Sequence, residues 1–303
     1  MATGTLALKP SSIVGLGRRT WQTAWDATAL FVADQGLTWA GAIGLYLFLS
    51  VPPLMVAVAW LARLVAPPEA ADAFVVEQVA KYVPAKAEML AGIVSTIPSS
   101  IPAAAGSIAL LLFSASRAFA AMTSAINVMW MRVDELTYWR RNLLRLGMLS
   151  VSLALVGVAA VAEGLIARLA ANGSSEGDIW LLDWQLVPMV LLGVFLFAAY
   201  KVLPREWVDP WHAAIGAVLA TSGVRFAQAG LGWVSEAGAF GTAYGDLADV
   251  ALMTTWALVV GVIVLYGAAI VAVLDGKGPP EEGSEGRFAR SRASSSSTRR
   301  SGR

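Results

Sequence analysis

AAAGSIALLLFSASRAFAAMTSAINVMWM, residues 103–131, is long and apolar enough to cross a lipid bilayer as one helix. Arg117 lies near its middle, with Ser114 and Ser124 nearby. At about 100° per residue, these three residues fall within about 80° of one another and predict a polar stripe along one face. An arginine at the bilayer centre costs roughly 2.5–3.5 kcal/mol on insertion scales and usually faces a partner or a wet cavity. We therefore expect other helices to cover this face.

The composition of the whole chain is that of a membrane protein. Of its 303 residues, 57% are hydrophobic and 14% are charged, and the mean hydropathy is +0.65. Soluble domains contain about 25% charged residues, so a soluble globular class is excluded. The absence of cysteine excludes disulfides and thiolate metal sites. We expect no cofactor and no bound metal.

Apolar stretches predict an all-α membrane domain over residues 39–275 with six spans. Besides residues 103–131, the spans are residues 39–65, 144–170, 186–203, 211–234 and 248–274. The first span contains Ser50-Val51-Pro52-Pro53, which should kink or break the helix. Residues 66–100 are too polar to span, and their apolar spacing predicts two short amphipathic helices in the first outer loop.

The segments that flank this domain are predicted to be cytoplasmic. Residues 1–38 contain an amphipathic helix on which Trp21, Trp25, Ala29 and Val32 recur at helical spacing. This helix either lies in the lipid headgroup region or packs on the protein's own cytoplasmic end. Residues 276–303 form a low-complexity basic tail that is predicted to be disordered because it cannot bury enough apolar surface to fold.

The distribution of positive charge predicts the orientation of the spans. The two terminal segments and the turns after the second and fourth spans hold 16 of the 22 Lys and Arg residues, whereas the opposite loops and span ends hold four. Cytoplasmic loops carry such an excess. We therefore predict a multi-pass protein of the bacterial inner membrane with both termini in the cytoplasm.

Several stretches resemble the YihY / virulence factor BrkB family of bacterial inner-membrane proteins. They are FSASRAFAAMTSAINVMW (113–130), DQGLTWAGAIGLYLFLSVPPLM (34–55), the LP of KVLPREWVDPWHAAIGAV (201–218) and TAYGDLADVALMTTWALVVGVIVLYGAAIV (242–271). Their order and spacing are specific. The chain departs from the family at Gly267-Ala268-Ala269, where the family usually has Gly-Ala-Glu. The resemblance implies an envelope protein whose family was once labelled ribonuclease BN, and for which lipid transport has been suggested.

Ionisable and polar residues inside the spans are the candidate substrate-binding residues. Arg225 shares a polar face with Gln228 in the fifth span, and Glu163 lies within the third. By helical rise, Glu163, Arg225 and Arg117 lie at similar depths and could converge with Ser114 and Ser124. One arginine paired with Glu163 would leave the other to hold an anionic ligand. The alternative is a purely structural cluster in which both arginines find acidic partners, with Asp246 or Asp249 as the second acid.

The sequence favours transport or flipping of an amphiphilic, anionic envelope molecule. A non-transporting envelope scaffold is the alternative. An enzyme is not expected, and a ribonuclease is the weakest interpretation, because metal-assisted hydrolysis needs clustered carboxylates or histidines. The chain has one histidine, His212, which we interpret as a solvated residue at the membrane boundary. Expected partners are membrane lipids, with envelope proteins or a second copy of the chain as further candidates, and no nucleic acid.

Overall fold

The computed structural model describes residues 10–63, 67–80, 87–95, 101–130, 186–204 and 206–277, together with the isolated positions 143, 147–148 and 150–151. Over these ranges the chain is helical and has no strand, which confirms the predicted all-α class there. The helices are α1 (Pro10–Ala33), α2 (Gly36–Ala62), α3 (Pro68–Ala80), α4 (Ala87–Ser95), α5 (Ile101–Met129), α6 (Leu186–Val202), α7 (Pro210–Glu236), α8 (Ala239–Tyr244) and α9 (Ala248–Leu274).

Four stretches in the described ranges are long and apolar enough to cross a membrane. They are Gly36–Trp60, Ala109–Met129, Pro210–Glu236 and Ala239–Leu274, and they match the first, second, fifth and sixth predicted spans. The predicted fourth span corresponds to α6, whose apolar run is shorter. The predicted third span lies outside the described residues except for a few positions. Six spans therefore remains a prediction.

Helix α9 is the centre of the bundle and packs against α2, α7 and α1. Its contact with α2 is close because small residues lie at the crossing. A Cβ atom on Gly261 would lie 2.5 Å from the carbonyl oxygen of Ala40, and one on Gly44 would lie 2.9 Å from that of Ala257. Helices in a bilayer associate through such small residues, since apolar side chains gain little by leaving lipid for another helix.

One end of the bundle gathers α1, the beginnings of α2 and α7, and the ends of α5, α6 and α9, and we call it the terminal end. Here Asn127 of α5 donates a hydrogen bond to Leu203, which follows α6. His212 of α7 lies 3.2 Å from Asp275, which follows α9.

Helix α1 packs on α9 at the terminal end. Ala27 and Leu30 are buried, and the hydroxyl groups of Thr28 and Tyr266 lie 3.0 Å apart. Of the two positions predicted for this helix, in the headgroup region or on the protein itself, the structure therefore shows packing on the protein. Trp21 and Trp25 nevertheless remain exposed. Contact between this tryptophan face and lipid headgroups stays a prediction.

At the opposite, far end, α3 and α4 cover the last turns of α2. Arg63 donates to both carboxylate oxygens of Asp72, at 2.8 and 2.6 Å, and so joins α2 to α3. These charge-assisted bonds raise the pKa of Arg63. The two short helices predicted between residues 66 and 100 are therefore present, and the buried residues of α4 are Leu90 and Val94.

Candidate functional site

Arg117 lies near the middle of α5, where its side chain is exposed. Its Cζ atom lies 5.8 Å from the centroid of the Tyr46 ring of α2, a distance typical of a cation–π contact. Among the described helices, none covers this arginine, so the expectation of a covered face is not met within that part of the chain. Within the described part of the chain, no carboxylate lies within ion-pair distance of it. The predicted acidic partner, Glu163, lies outside the described residues.

The predicted polar stripe on α5 is divided between two environments. Ser124 is exposed, and it follows Arg117 by seven residues on the same face. Ser114 is instead buried, and its hydroxyl group donates to the backbone of its own helix, at 2.9 Å from Leu110 and 3.1 Å from Leu111. The structure therefore places Ser124, but not Ser114, on the face of Arg117.

Arg225 and Gln228 meet on α7, where Nη1 of the arginine donates to Oε1 of the glutamine at 3.2 Å. Thr221, one turn earlier, is buried, and its Oγ1 has no hydrogen-bond partner. Helix α7 packs mainly against α6 and α9, whereas α5 packs mainly against α2. The described contacts therefore bring Arg225 together with Gln228 and do not join them to Arg117.

An apolar groove of about 500 Å³ opens between the middle of α2, α4 and the first half of α5. The residues that line it are Pro52, Pro53, Val56, Met89, Gly92, Ile93 and Leu110. Helix α2 continues through both prolines, so of the predicted kink or break the break does not occur, and a kink stays a prediction. The groove is open, and Leu110 in its lining and Phe113 of α5 are exposed.

Arg117 lies on the same seam as this groove. On α5, Leu110 and Arg117 are seven residues apart. On the antiparallel α2, Pro53 and Tyr46 are also seven residues apart. Seven residues are about two turns, so each pair shares a helix face and is separated by about 10 Å along the axis. A guanidinium group and its aromatic neighbour therefore stand about 10 Å from an apolar groove, on the side toward the terminal end.

The terminal end contains polar residues that the sequence did not single out. Asn127 is buried, and its Nδ2 donates to Thr123 at 2.8 Å and to Leu203 at 3.1 Å, while its Oδ1 has no partner. A lone amide in an apolar span was the available signal. His212 is partly buried and paired with Asp275, not simply solvated as we expected.

Asp34, in the turn between α1 and α2, is a second such residue. Its Oδ2 is buried without a hydrogen-bond partner. Burial disfavours the charged form and raises the pKa of this carboxyl group. Among the residues that the structure describes, no three His, Cys, Asp or Glu side chains are grouped so that they could hold a metal ion.

Comparison with known proteins gives the family. Residues 27–292 match the family model described as virulence factor BrkB. The chain is 30% identical over 176 residues to a UPF0761 membrane protein of Albidiferax ferrireducens, which covers 55% of this chain and 41% of that protein. A UPF0761 membrane protein of Methylibium petroleiphilum is 30% identical over 139 residues, which cover 45% of this chain and 32% of the relative.

The matched regions thus span less than half the length of these curated relatives. No solved structure matches the chain. The family match covers the exposed Arg117, the groove and the terminal-end polar residues. This chain belongs to the virulence factor BrkB family of membrane proteins.

Proposed function

We propose that this protein binds an anionic amphiphile from the lipid bilayer at the α2–α5 seam and moves it across the membrane without chemical reaction. The observation that carries this proposal is Arg117, an exposed cation near the middle of a spanning helix, on the same seam as an apolar groove. Charged residues inside spans are rare and usually mark a ligand or ion pathway.

The energetics favour an anionic ligand at Arg117. Exposure of an arginine near the bilayer centre costs roughly 2.5–3.5 kcal/mol. The contact with Tyr46 offsets about 0.5–2 kcal/mol of this. A phosphate or carboxylate group offsets more, because a guanidinium group binds either one through two parallel hydrogen bonds.

The groove supplies the apolar half of such a site. Its volume of about 500 Å³ lies in the range of small-molecule pockets, about 300–1,000 Å³. Since it is open and the apolar Leu110 and Phe113 beside it are exposed, a ligand would enter laterally from the lipid phase. The ligand class is therefore a membrane amphiphile rather than a water-soluble solute.

The binding experiment compares variants of the full chain in phosphatidylcholine nanodiscs that contain a minor fraction of phosphatidic acid. Native mass spectrometry counts the phosphatidic acid that stays bound. Arg117→Ala should reduce retention at least tenfold, and Arg117→Lys should keep part of it because the charge remains. Lys201→Ala is the matched control, because Lys201 also lies over an aromatic ring, 5.0 Å from Trp207, but at the terminal end.

Transport is tested separately in proteoliposomes that contain a fluorescent phosphatidic acid. An external quencher removes the fluorescence of the outer leaflet, so movement of the lipid changes the fraction of fluorescence that is quenched. Movement that depends on Arg117 is expected. Equal retention by the parent protein and Arg117→Ala would overturn the binding site. Retention without movement would overturn transport and favour the scaffold alternative.

A further inference from the structure

Two consecutive prolines inside α2 leave two backbone carbonyl groups without their helical partners. Proline has no N–H group, so Pro52 cannot donate to the carbonyl of Phe48, and Pro53 cannot donate to that of Leu49. The nearby hydroxyl group of Ser50 does not replace them, since it donates to Leu47 at 2.7 Å. Among the described residues, no side chain donates to either carbonyl group.

A carbonyl group without a donor is costly in the hydrocarbon region, where no bulk water replaces the lost bond. Helical carbonyl groups point toward the C-terminal end of their helix, here toward Pro52 and Pro53. Both prolines line the apolar groove. Both carbonyl groups therefore lie on the terminal-end side of the prolines, and that of Leu49 is on the face of α2 where Pro53 lines the groove.

The Leu49 carbonyl group lies between the cation and the groove. Leu49 follows Tyr46, the neighbour of Arg117, by three residues, which is about 4.5 Å along α2. Pro53, in the wall of the groove, follows Tyr46 by seven residues, about 10 Å. Along the seam the order is a guanidinium group, the Leu49 carbonyl acceptor and an apolar groove.

We infer that the ligand carries a hydrogen-bond donor, a hydroxyl or amide N–H group, between its anionic group and its hydrocarbon chain. This inference rests on the proposed binding of an anionic amphiphile and adds a chemical class to it. Lysophospholipids with a free glycerol hydroxyl group and amide-linked lipids have this donor. Diacyl phosphatidic acid has only ester groups at that position and offers none, so it should be a weaker ligand.

The test uses two anionic lipids that differ only in this donor. They are 1-oleoyl-lysophosphatidic acid and its 2-O-methyl derivative, which have the same charge and chain. Binding of each to the full chain in phosphatidylcholine nanodiscs is measured by native mass spectrometry. We expect the free hydroxyl form to bind about five- to tenfold more tightly, as one hydrogen bond to an otherwise unpaired acceptor implies.

A double variant, Pro52→Ala with Pro53→Ala, restores both N–H groups to α2. The ratio of the affinities for the hydroxyl form and the methylated form should then fall close to one, while binding should still depend on Arg117. Pro210→Ala is the matched control, because Pro210 is at the first position of α7, where a missing N–H leaves no helical carbonyl unpaired. It should leave the preference unchanged.

The outcomes separate the two proposals. Equal, Arg117-dependent binding of the two lysolipids would overturn the donor inference and leave the proposed site intact. Failure of both lipids to bind, or binding that Arg117→Ala does not change, would overturn both. The comparison on the parent protein decides the inference even where the proline variant does not fold.

Discussion

Asn127 donates a hydrogen bond to the carbonyl oxygen of Leu203, which lies 76 residues further along the chain, at 3.1 Å. Leu203 follows the last turn of α6 and precedes Pro204. The carbonyl groups at the end of a helix have no donor within it, so a side chain from elsewhere must satisfy them. One amide thus joins the end of α5 to the end of α6.

Replacement of this amide should destabilise the bundle. Asn127→Leu keeps the size of the side chain but removes the donor, so the Leu203 carbonyl becomes a buried acceptor without a partner. We expect a loss of about 1–3 kcal/mol, measured as a lower melting temperature in detergent. Ser124→Ala, at an exposed position on the same helix, should change stability by less than about 0.5 kcal/mol. Equal melting temperatures for the two variants would show that the hydrogen bond contributes little.

Close contact between α2 and α9 predicts opposite effects for two glycines of the same bundle. Gly261→Ala places a methyl group 2.5 Å from the carbonyl oxygen of Ala40, which the backbone cannot avoid without a shift. It should destabilise by about 1–3 kcal/mol. Gly41→Ala meets no atom within 4 Å and should be neutral or stabilise by up to about 1 kcal/mol. Thermal unfolding of both variants in one detergent checks this, and a stable Gly261→Ala would contradict the close crossing.

A double-mutant cycle separates a binding arginine from a structural one. If Arg117 holds a ligand, Arg117→Ala should lose bound phosphatidic acid with little change in melting temperature. If it pairs with Glu163, Arg117→Ala should cost about 3–5 kcal/mol because an unpaired carboxylate is left behind. Addition of Glu163→Ala should then recover much of that loss. Such rescue, with lipid retention unchanged in every variant, would rule out the binding site.

The partly buried carboxyl group of Asp34 predicts a pH dependence of stability. Its pKa is raised in the folded protein above the ordinary value of 3.8, so the folded state binds the proton more tightly than the unfolded state does. Ionisation therefore lowers stability as pH rises from 3.8 through the raised pKa. Asp34→Asn removes this effect. It should melt above the parent protein at pH values above the raised pKa and lose that advantage as the pH falls toward 3.8. A difference in melting temperature between the two proteins that stays constant across pH would contradict the prediction.

The orientation of the spans can be measured in intact cells. Cysteines introduced at Ser99 and Ser174 should react with an impermeant thiol reagent from outside, because the charge bias places both loops outside the cytoplasm. A cysteine at Ser295, in the predicted cytoplasmic tail, should react only after the membrane is opened. The chain has no native cysteine, so each label reports one position. Labelling of the cysteine at position 295 in intact cells would contradict the predicted orientation of the spans.

The spans were predictable because a membrane helix needs little more than about 20 apolar residues. The last span was predicted as residues 248–274, and α9 has these bounds. Periodicity could not show which face of α5 meets another helix, because lipid and protein are equally apolar surroundings. Ser114 and Arg117 are therefore close in angle, yet one is buried and the other exposed.

Contacts between helices were not accessible from the sequence for the same reason. The pairing of Arg117 with Tyr46 depends on the register of two antiparallel helices whose residues are 71 positions apart in the chain. The groove likewise needs α4 to lie beside the prolines of α2. Neither relationship leaves a periodic signal, whereas the resemblance to the family depends on residue order and was confirmed.

The contact of α1 with α9 also has a consequence for biogenesis. Thr28 and Tyr266 are separated by 238 positions, so the α9 surface that contacts α1 is synthesised long after Ala27 and Leu30. Until α9 leaves the ribosome and enters the membrane, α1 lacks its main neighbour. Docking of α1 must therefore wait for α9, and chains arrested before α9 would present an uncovered apolar surface to cellular proteases.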